Sequence, residues 1–293
     1  MAMELPGVSR ILARQIRESD VTAVARLLAR GFARRSHEFW LDVFARLSKH
    51  PVPEGLPRYG YLLESDGLVV GAILLIFSTL RGDDKSAIRC NVSSWFVEPS
   101  FRSYASLMVR KALSQKDVTY INISPAPHTM RILPAQGYSQ YSRGIFVALP
   151  ALRLRGADAD VRIVRADSSP PASAGPFEHE LLLEHARYGC LSMWCVTANH
   201  AYPFVFRMRT IKRIIPCAQL IYSRGIDEFV QLARPIGRFL TARGRPLVAI
   251  DANGSIAGLA GRYFDAKQPK YFKGPNQPRL GDLVYTEAAM FGI

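Results

Sequence analysis

The stretch from Asn91 to Lys116, NVSSWFVEPSFRSYASLMVRKALSQK, constrains the fold more than any other part of the chain. Asn91 to Val97 mixes β-branched and aromatic residues, which is typical of a buried strand, and Pro99 ends that strand because it has no amide to donate. From Ser106 the apolar residues recur at helical spacing. The sequence therefore predicts a strand, a sharp loop and a helix. The N-terminus of that helix would attract a phosphate, because its first amides are unpaired and its dipole end is positive.

The segment Val97 to Leu113, VEPSFRSYASLMVRKAL, resembles the cofactor segment of the GNAT superfamily of acyl-CoA N-acyltransferases. The usual pattern of that family is V-x-P-x-x-R-G-x-G-x-G, and Val97, Pro99 and Arg102 match it. Three positions where the pattern has glycine are occupied by Ser103, Ala105 and Leu107. The loop is therefore a degenerate one, and the alternative is an ordinary strand-to-helix turn that carries an arginine.

The resemblance implies that acetyl-CoA or another acyl-CoA is the donor substrate and that no metal takes part. In the family the diphosphate lies on the loop and the pantetheine arm passes the end of the following strand. Carried over to this chain, those positions are Phe96, Val97, Arg102, Ser103, Tyr104, Ala105, Ser106, Leu107 and Ser124.

Acyl transfer from a thioester to an amine needs a backbone donor at the carbonyl oxygen, a route for the proton of the amine, and an acid for the thiolate. The resemblance places the backbone donor in Trp95 to Val97, and it places the family's tyrosine acid at Leu133, so that acid is missing. The candidate catalytic residues are Glu38, Ser94 and His128, with His37 and Glu98 as neighbours of the same kind. Each also has an ordinary structural interpretation, as a helix start, a surface residue or a helix cap.

Composition sets the outer bounds of the fold. The chain has 293 residues, of which 48% are hydrophobic and 21% charged, and this is a folded composition. The first residues lack the pattern of a secretory signal, and the apolar run from Leu68 to Phe77 is shorter than the ~20 residues of a membrane helix. The sequence thus predicts a cytoplasmic protein without a membrane partner. Four cysteines without a CxxC pair are predicted to be buried thiols, namely Cys90, Cys190, Cys195 and Cys217.

The net charge of +14 is spread evenly along the chain. Residues 1 to 150 and residues 151 to 293 each hold 19 Lys plus Arg against 12 Asp plus Glu, so each part carries 19 − 12 = +7. A dedicated nucleic-acid tail would concentrate this charge. Most of it is interpreted as a solvated surface, which leaves open that it steers an anionic substrate. Nucleic acid is a partner that the charge permits and no motif supports.

The first half predicts the element order β-α-α-β-β-β-α-β-α-β, which is the order of a complete GNAT domain. Gly137 is predicted to close the last of its helices. The predicted strands are Arg10 to Arg17, Gly60 to Glu64, Leu68 to Leu80, Asn91 to Val97, Val118 to Ser124 and Gly144 to Leu149; helices follow Asp20 and span His37 to Ser48, Ser106 to Lys116 and His128 to Gln136, and a hairpin turn is predicted at Arg81 to Lys85.

The order of predicted elements in the second half resembles that of the first half, as a diverged internal duplication would leave it. It predicts strands at Val161 to Asp167, Pro246 to Asp251 and Asp282 to Phe291 and a long helix at Gly225 to Gly244, and it has Gly261 to Phe264 at the place of Gly137 and Tyr138. The predicted class is α/β (α+β), with a GNAT-like acyl-CoA-binding domain at 1–152 and a degenerate GNAT-like domain at 153–293. Each domain would hold a mixed, mostly antiparallel sheet flanked by helices.

The second copy lacks the V-x-P-x-x-R sequence, and Asp227 and Glu228 in the first turn of its long helix would repel a phosphate. The resemblance then implies two functions. One is an acyl-CoA-dependent N-acyltransferase that moves an acetyl or longer acyl group to the amine of a small molecule or peptide. The other is a non-catalytic tandem GNAT-like binding or regulatory module. A FemAB-like aminoacyl transferase is a third interpretation, which the positive charge permits.

Overall fold

The computed structural model describes residues 11–81, 86–154, 156–211 and 214–292. The chain divides into two compact units, of which the first ends at Tyr120 and the second begins at Ile121. The division rests on packing alone, so the boundary between tandem domains at residues 152 and 153 stays a prediction.

In its described residues, the first unit contains an antiparallel sheet in the order β1-β2-β3-β4 and three α-helices. Its strands are Ile11–Gln15 (β1), Gly60–Ser65 (β2), Leu68–Arg81 (β3) and Ser86–Val97 (β4), its α-helices are Val21–Gly31 (α1), His37–Lys49 (α2) and Ala105–Ala112 (α3), and 3₁₀ helices span Glu18–Asp20 and Pro99–Tyr104. The division between the units falls within strand Val118–Asn122 (β5). These elements confirm the predicted order, whereas residues 82–85 of the predicted hairpin turn lie outside the described residues.

Helix α2 shows how the sequence sets these elements. Ser36 precedes it and its hydroxyl accepts a hydrogen bond from the Phe39 amide at 3.1 Å, so one of the unpaired amides of the first turn is satisfied. Four apolar residues at helical spacing are buried along one face of the helix, namely Trp40, Val43, Phe44 and Leu47.

The second unit contains a mixed sheet in the order β12-β6-β11-β10-β9-β8-β7. Its strands are Ser139–Ala148 (β6), Asp160–Ile163 (β7), Leu191–Val196 (β8), Ala201–Ile211 (β9), Ile215–Tyr222 (β10), Leu247–Ala252 (β11) and Gly261–Lys273 (β12), and its α-helices are Pro127–Ile132 (α4), Pro176–Arg187 (α5), Ile226–Gln231 (α6), Ala233–Thr241 (α7) and Glu287–Met290 (α8). Shorter 3₁₀ helices span Pro134–Gln136 and Pro150–Leu152. Strands β10 and β11 are parallel, and the other pairs are antiparallel. A mostly antiparallel sheet flanked by helices confirms the predicted fold class.

The long helix predicted at Gly225 to Gly244 is two helices, α6 and α7. They meet at Leu232, whose ψ of 10° departs from helical geometry. Pro235 explains the break, because proline has no amide to donate to the carbonyl four residues earlier. That carbonyl, of Gln231, accepts the amide of Ala157 at 3.2 Å instead.

Two other features of the second half differ from the sequence predictions. Gly261, matched in the sequence with the helix-ending Gly137, begins strand β12. A Cβ there would lie 2.3 Å from the Val147 carbonyl oxygen, so the glycine allows a close strand-to-strand approach. The stretch Asp282 to Phe291 is irregular chain ending in α8, and not a strand. Its side chains are buried almost without interruption, a pattern that periodicity cannot assign to strand or helix.

All four cysteines are free and buried, which confirms the prediction of buried thiols. Burial raises the pKa of Cys195 to about 12. Within the described ranges, no helix has the length and apolar character needed to cross a membrane. The same ranges contain no cluster of three or more histidine, cysteine, aspartate or glutamate side chains suited to a metal ion.

Candidate functional site

A β-bulge lies in β4 directly before the predicted cofactor loop. Ser93 pairs with Leu74 of β3 and Phe96 pairs with Ala72, so Ser94 and Trp95 together face one residue of the partner strand. Ser94 has a φ of 51°, in the left-handed region. A bulge of this kind bends its strand and interrupts the ladder.

The register after the bulge decides where the peptide groups of β4 point. The Glu98 amide donates to the Val70 carbonyl at 2.9 Å, so Glu98 and Phe96 direct their peptide groups toward β3. By the alternation of an antiparallel ladder, Val97 directs its N–H and C=O away from β3. The indole nitrogen of Trp95 is buried and has no hydrogen-bond partner among the described residues. The end of β4 therefore directs the peptide group of Val97 to the side opposite β3.

The predicted loop is a 3₁₀ helix that leads into α3. The amide of Phe101 donates to the Glu98 carbonyl at 2.9 Å, and the amide of Ala105 donates to the carbonyl of Arg102. Both hydrogen bonds lie within the 3₁₀ helix, so these two amides are already used by the turn. A glycine-containing loop of the family pattern could take other conformations, and the substitution of its glycines removes that freedom.

Most side chains between Arg102 and Leu107 are exposed to solvent. Arg102, Ser103, Tyr104 and Ser106 are exposed, whereas Ala105 and Leu107 are half-buried. Within the described part of the chain, the Arg102 guanidinium forms no ion pair or hydrogen bond. An exposed, unpaired guanidinium in a segment that also exposes two serines is suited to phosphate oxygens.

Glu98 is held by an ion pair with Arg30 of α1 at 2.6 Å. The Arg30 side chain is 58% exposed and the Glu98 side chain 33%, so the pair contributes little to stability. It does fix the Glu98 carboxylate toward α1.

Glu38 fits the interpretation as a helix start. It is exposed in the first turn of α2, and a hydrogen bond to its own backbone amide, followed by one from Ser36, holds the pKa of its carboxyl below the usual value. A lowered pKa makes a carboxylate a weaker base. His37, beside it, has a buried ring nitrogen, Nε2, with no partner among the described residues.

Three other predicted positions lie in the second unit. His128 is exposed on α4, and Leu133 is buried where the family acid was expected. Ser124 donates a hydrogen bond of 2.5 Å to Oε1 of Glu287. The roles of all these residues stay predictions.

Sequence reasoning missed the residues that surround Phe96. A Cβ on Gly31 would lie 2.3 Å from the Phe96 ring, so this glycine lets the ring pack against the end of α1. The ring of Phe32 lies 6.4 Å from that of Phe96 and 5.4 Å from that of Trp40. An aromatic residue directly after a helix-ending glycine was the available signal, and local periodicity did not distinguish it from ordinary core.

Comparison with solved structures finds the same architecture in proteins of very low sequence identity. A GCN5-related N-acetyltransferase from Anabaena variabilis ATCC 29413 aligns with a TM-score of 0.59 and 13% identity, over 90% of this chain and 72% of that one. One from Kribbella flavida aligns with a TM-score of 0.56 and 15% identity, over 90% and 71%. The chain has the GNAT superfamily fold.

A third structure of similar fold is that of a conserved protein from Enterococcus faecalis V583, described as a probable N-acyltransferase, with a TM-score of 0.58, 9% identity, and coverage of 94% of this chain and 74% of that one. No protein-family model matches the sequence, and comparison with curated protein sequences finds no match. The likeness is therefore one of fold.

Proposed function

We propose that this protein is an acyl-CoA-dependent N-acyltransferase whose site lies in the first unit, where β4 ends and α3 begins. It would move an acetyl or longer acyl group to an amine of a small molecule or peptide. The observation that carries the proposal is the bulge at Ser94, which is followed within eight residues by the unpaired guanidinium of Arg102.

The residues present fit the diphosphate of coenzyme A in part. Arg102 supplies paired donors, and the hydroxyls of Ser103 and Ser106 supply further ones. The peptide group of Val97, directed away from β3, would donate to a carbonyl of the pantetheine arm or of the thioester. The substituted glycines mean that side chains would take over part of the binding that backbone amides give in the family.

Deprotonation of the amine and protonation of the thiolate are the remaining steps. The Ser93 and Ser94 hydroxyls lie 2.9 Å apart beside the bulge and offer a relay for a proton. With Leu133 at the position of the family acid, the leaving thiolate would take its proton from water or from the acceptor.

A second function, a non-catalytic binding or regulatory module, is favoured by a specific observation. The amides of Phe101 and Ala105 are already bonded within the 3₁₀ helix, and Glu98 is already paired with Arg30. A protein that had lost catalysis could retain this more closed loop.

The variant Arg102→Ala tests whether coenzyme A binds at the start of α3. Each charge-assisted hydrogen bond contributes about 1.5–3 kcal/mol, so the variant should bind acetyl-CoA and longer acyl-CoAs roughly ten- to a hundredfold more weakly in isothermal titration. Arg110→Ala is the matched control, because Arg110 is exposed in the last turn of the same helix. Arg224 is a poorer control, since it forms a bidentate pair with Glu178.

Equal affinity of the parent chain and the Arg102 variant for acyl-CoA would mean that the coenzyme does not bind at this site. If Arg102→Ala weakens binding but the parent releases no free coenzyme thiol with a panel of amines, the binding module becomes the better function.

A further inference from the structure

The second unit contains an elongated groove between strand β7 and helix α7. Two clefts of about 690 and 430 Å³ adjoin along it and share Val161 and Phe239 in their walls. The first cleft runs from Asp158 past Arg234, and the second reaches Asp167 and Arg243. Residue numbers thus rise along β7 and along α7 from the first cleft to the second, so the groove runs parallel to both elements.

The floor of the groove is an unpaired strand edge. Among the described strands, β7 is the last of its sheet and pairs on one side only, with β8. The Val164 amide donates to the Ser192 carbonyl at 2.9 Å, which fixes the phase of the ladder. By alternation, the N–H and C=O groups of Val161 and Ile163 point away from β8, and both residues line the groove.

The wall of the groove carries three arginines. Arg234 and Arg238 are one helical turn apart on α7, and neither guanidinium forms an ion pair or hydrogen bond with a described residue. Arg243 lies with its guanidinium 3.6 Å from the centre of the Phe239 ring. A helical turn of four residues advances ~6 Å, close to the ~6.6 Å between alternate residues of a strand.

The carboxylates of the groove lie on the strand side. Asp160 is paired with Arg162 at 2.8 Å, whereas Asp158 and Asp167 lie toward the two ends. A chain segment in the groove would therefore meet positive charge along α7 and one carboxylate toward each end, where Asp167 shares its cleft with Arg165 and Arg243.

We propose that the second unit binds an extended acidic peptide, which adds to its sheet as a strand beside β7. The backbone of the peptide pairs with the free peptide groups of Val161 and Ile163. Its alternate side chains face α7, where carboxylates at every second position meet Arg234 and Arg238. Basic residues at its two ends meet Asp158 and Asp167.

Fluorescence anisotropy with a labelled peptide of about eight residues tests this surface. The peptide has lysine at each end and alternating glutamate and threonine between, and a second peptide of the same composition has its glutamates in one block. The alternating peptide should bind the full chain at least about tenfold more tightly. The double variant Arg234→Gln, Arg238→Gln should lose that binding, whereas Arg187→Gln, at an exposed position on α5, should retain it.

Methylated peptides separate strand addition from charge attraction. Methylation of the glutamate amides and methylation of the threonine amides block opposite edges of an extended peptide. One of the two peptides should lose binding at least about tenfold and the other should keep it. Equal binding of both, no binding of the unmethylated peptide, or equal losses in the Arg187 control would overturn the proposal. So would a parent dimer that the double variant dissociates, since a second copy of the chain would then occupy the groove.

Discussion

Ser94 shows how a single residue can be selected for backbone conformation. Its hydroxyl makes it a candidate catalytic residue, and its role in the reaction stays a prediction. The structure gives the position a second requirement, because a φ of 51° places it in the left-handed region within a bulge. The bulge shifts the register after it, and this directs the peptide group of Val97 away from β3.

Substitutions at Ser94 separate the hydroxyl from the backbone conformation. Ser94→Gly should keep the fold and the affinity for acetyl-CoA, because glycine adopts a positive φ without steric cost. Ser94→Val should lower the free energy of unfolding by about 1–2 kcal/mol relative to the glycine variant, because a β-branched side chain is strained there. Chemical denaturation and isothermal titration measure both. Equal stabilities would argue against a strained position, and a loss of binding in the glycine variant would assign a role to the hydroxyl.

Strands β11 and β12 flank β6 and are connected by a buried ion pair. Lys270 Nζ lies 2.6 Å from Asp251 Oδ1, and the two side chains are 2% and 3% exposed. The other carboxylate oxygen of Asp251 is buried and has no partner among the described residues. Before Lys270 the register of β12 shifts, and Ala266 and Gln268 have positive φ values. The pair thus holds the strand in place where its regular pairing is interrupted.

Removal of one partner of this pair should be costly. Lys270→Met should lower the free energy of unfolding by about 3–5 kcal/mol, because it leaves the Asp251 carboxylate buried without a counter-charge. Adding Asp251→Leu should restore most of that loss. Arg162→Met, which removes an exposed pair with Asp160, should cost less than about 1 kcal/mol. Denaturant titration of these three variants and of Asp251→Leu alone gives the values, and additive losses in the double variant would mean that the two charges do not depend on each other.

At the scale of the whole molecule, the net charge of +14 is a property of both halves of the sequence. Even spreading gives a positive field rather than a single binding patch. Such a field favours the approach of anions, among them acyl-CoA, without deciding where they bind.

The rate of association with acyl-CoA should therefore depend on salt. Between about 0.05 and about 0.5 M salt, the association rate constant should fall about tenfold, because screening shortens the range of the field. Stopped-flow measurements with a fluorescent acyl-CoA give this rate constant. Arg102→Ala should change the dissociation rate constant, and it should change the salt dependence of the association rate constant much less. A rate constant that is independent of salt would mean that the excess charge is only a solvated surface.

The sequence by itself determined the order of elements in the first half, the four buried thiols, and the strand and helix on either side of Pro99. It also determined that Gly137 ends a helical segment, and there the backbone has a φ of 83°. These features depend on signals that act over a few residues, such as periodicity, the missing amide of proline and the conformational freedom of glycine.

Only the tertiary structure decided how the candidate site is arranged. The bulge at Ser94 depends on register with β3, the fixed carboxylate of Glu98 depends on Arg30, and the place of the Phe96 ring depends on Gly31. In the second unit, Gly261 is a strand residue because Val147 lies beside it. Each of these depends on residues far away in the chain, and the energy of such contacts comes from packing and burial that no local pattern records.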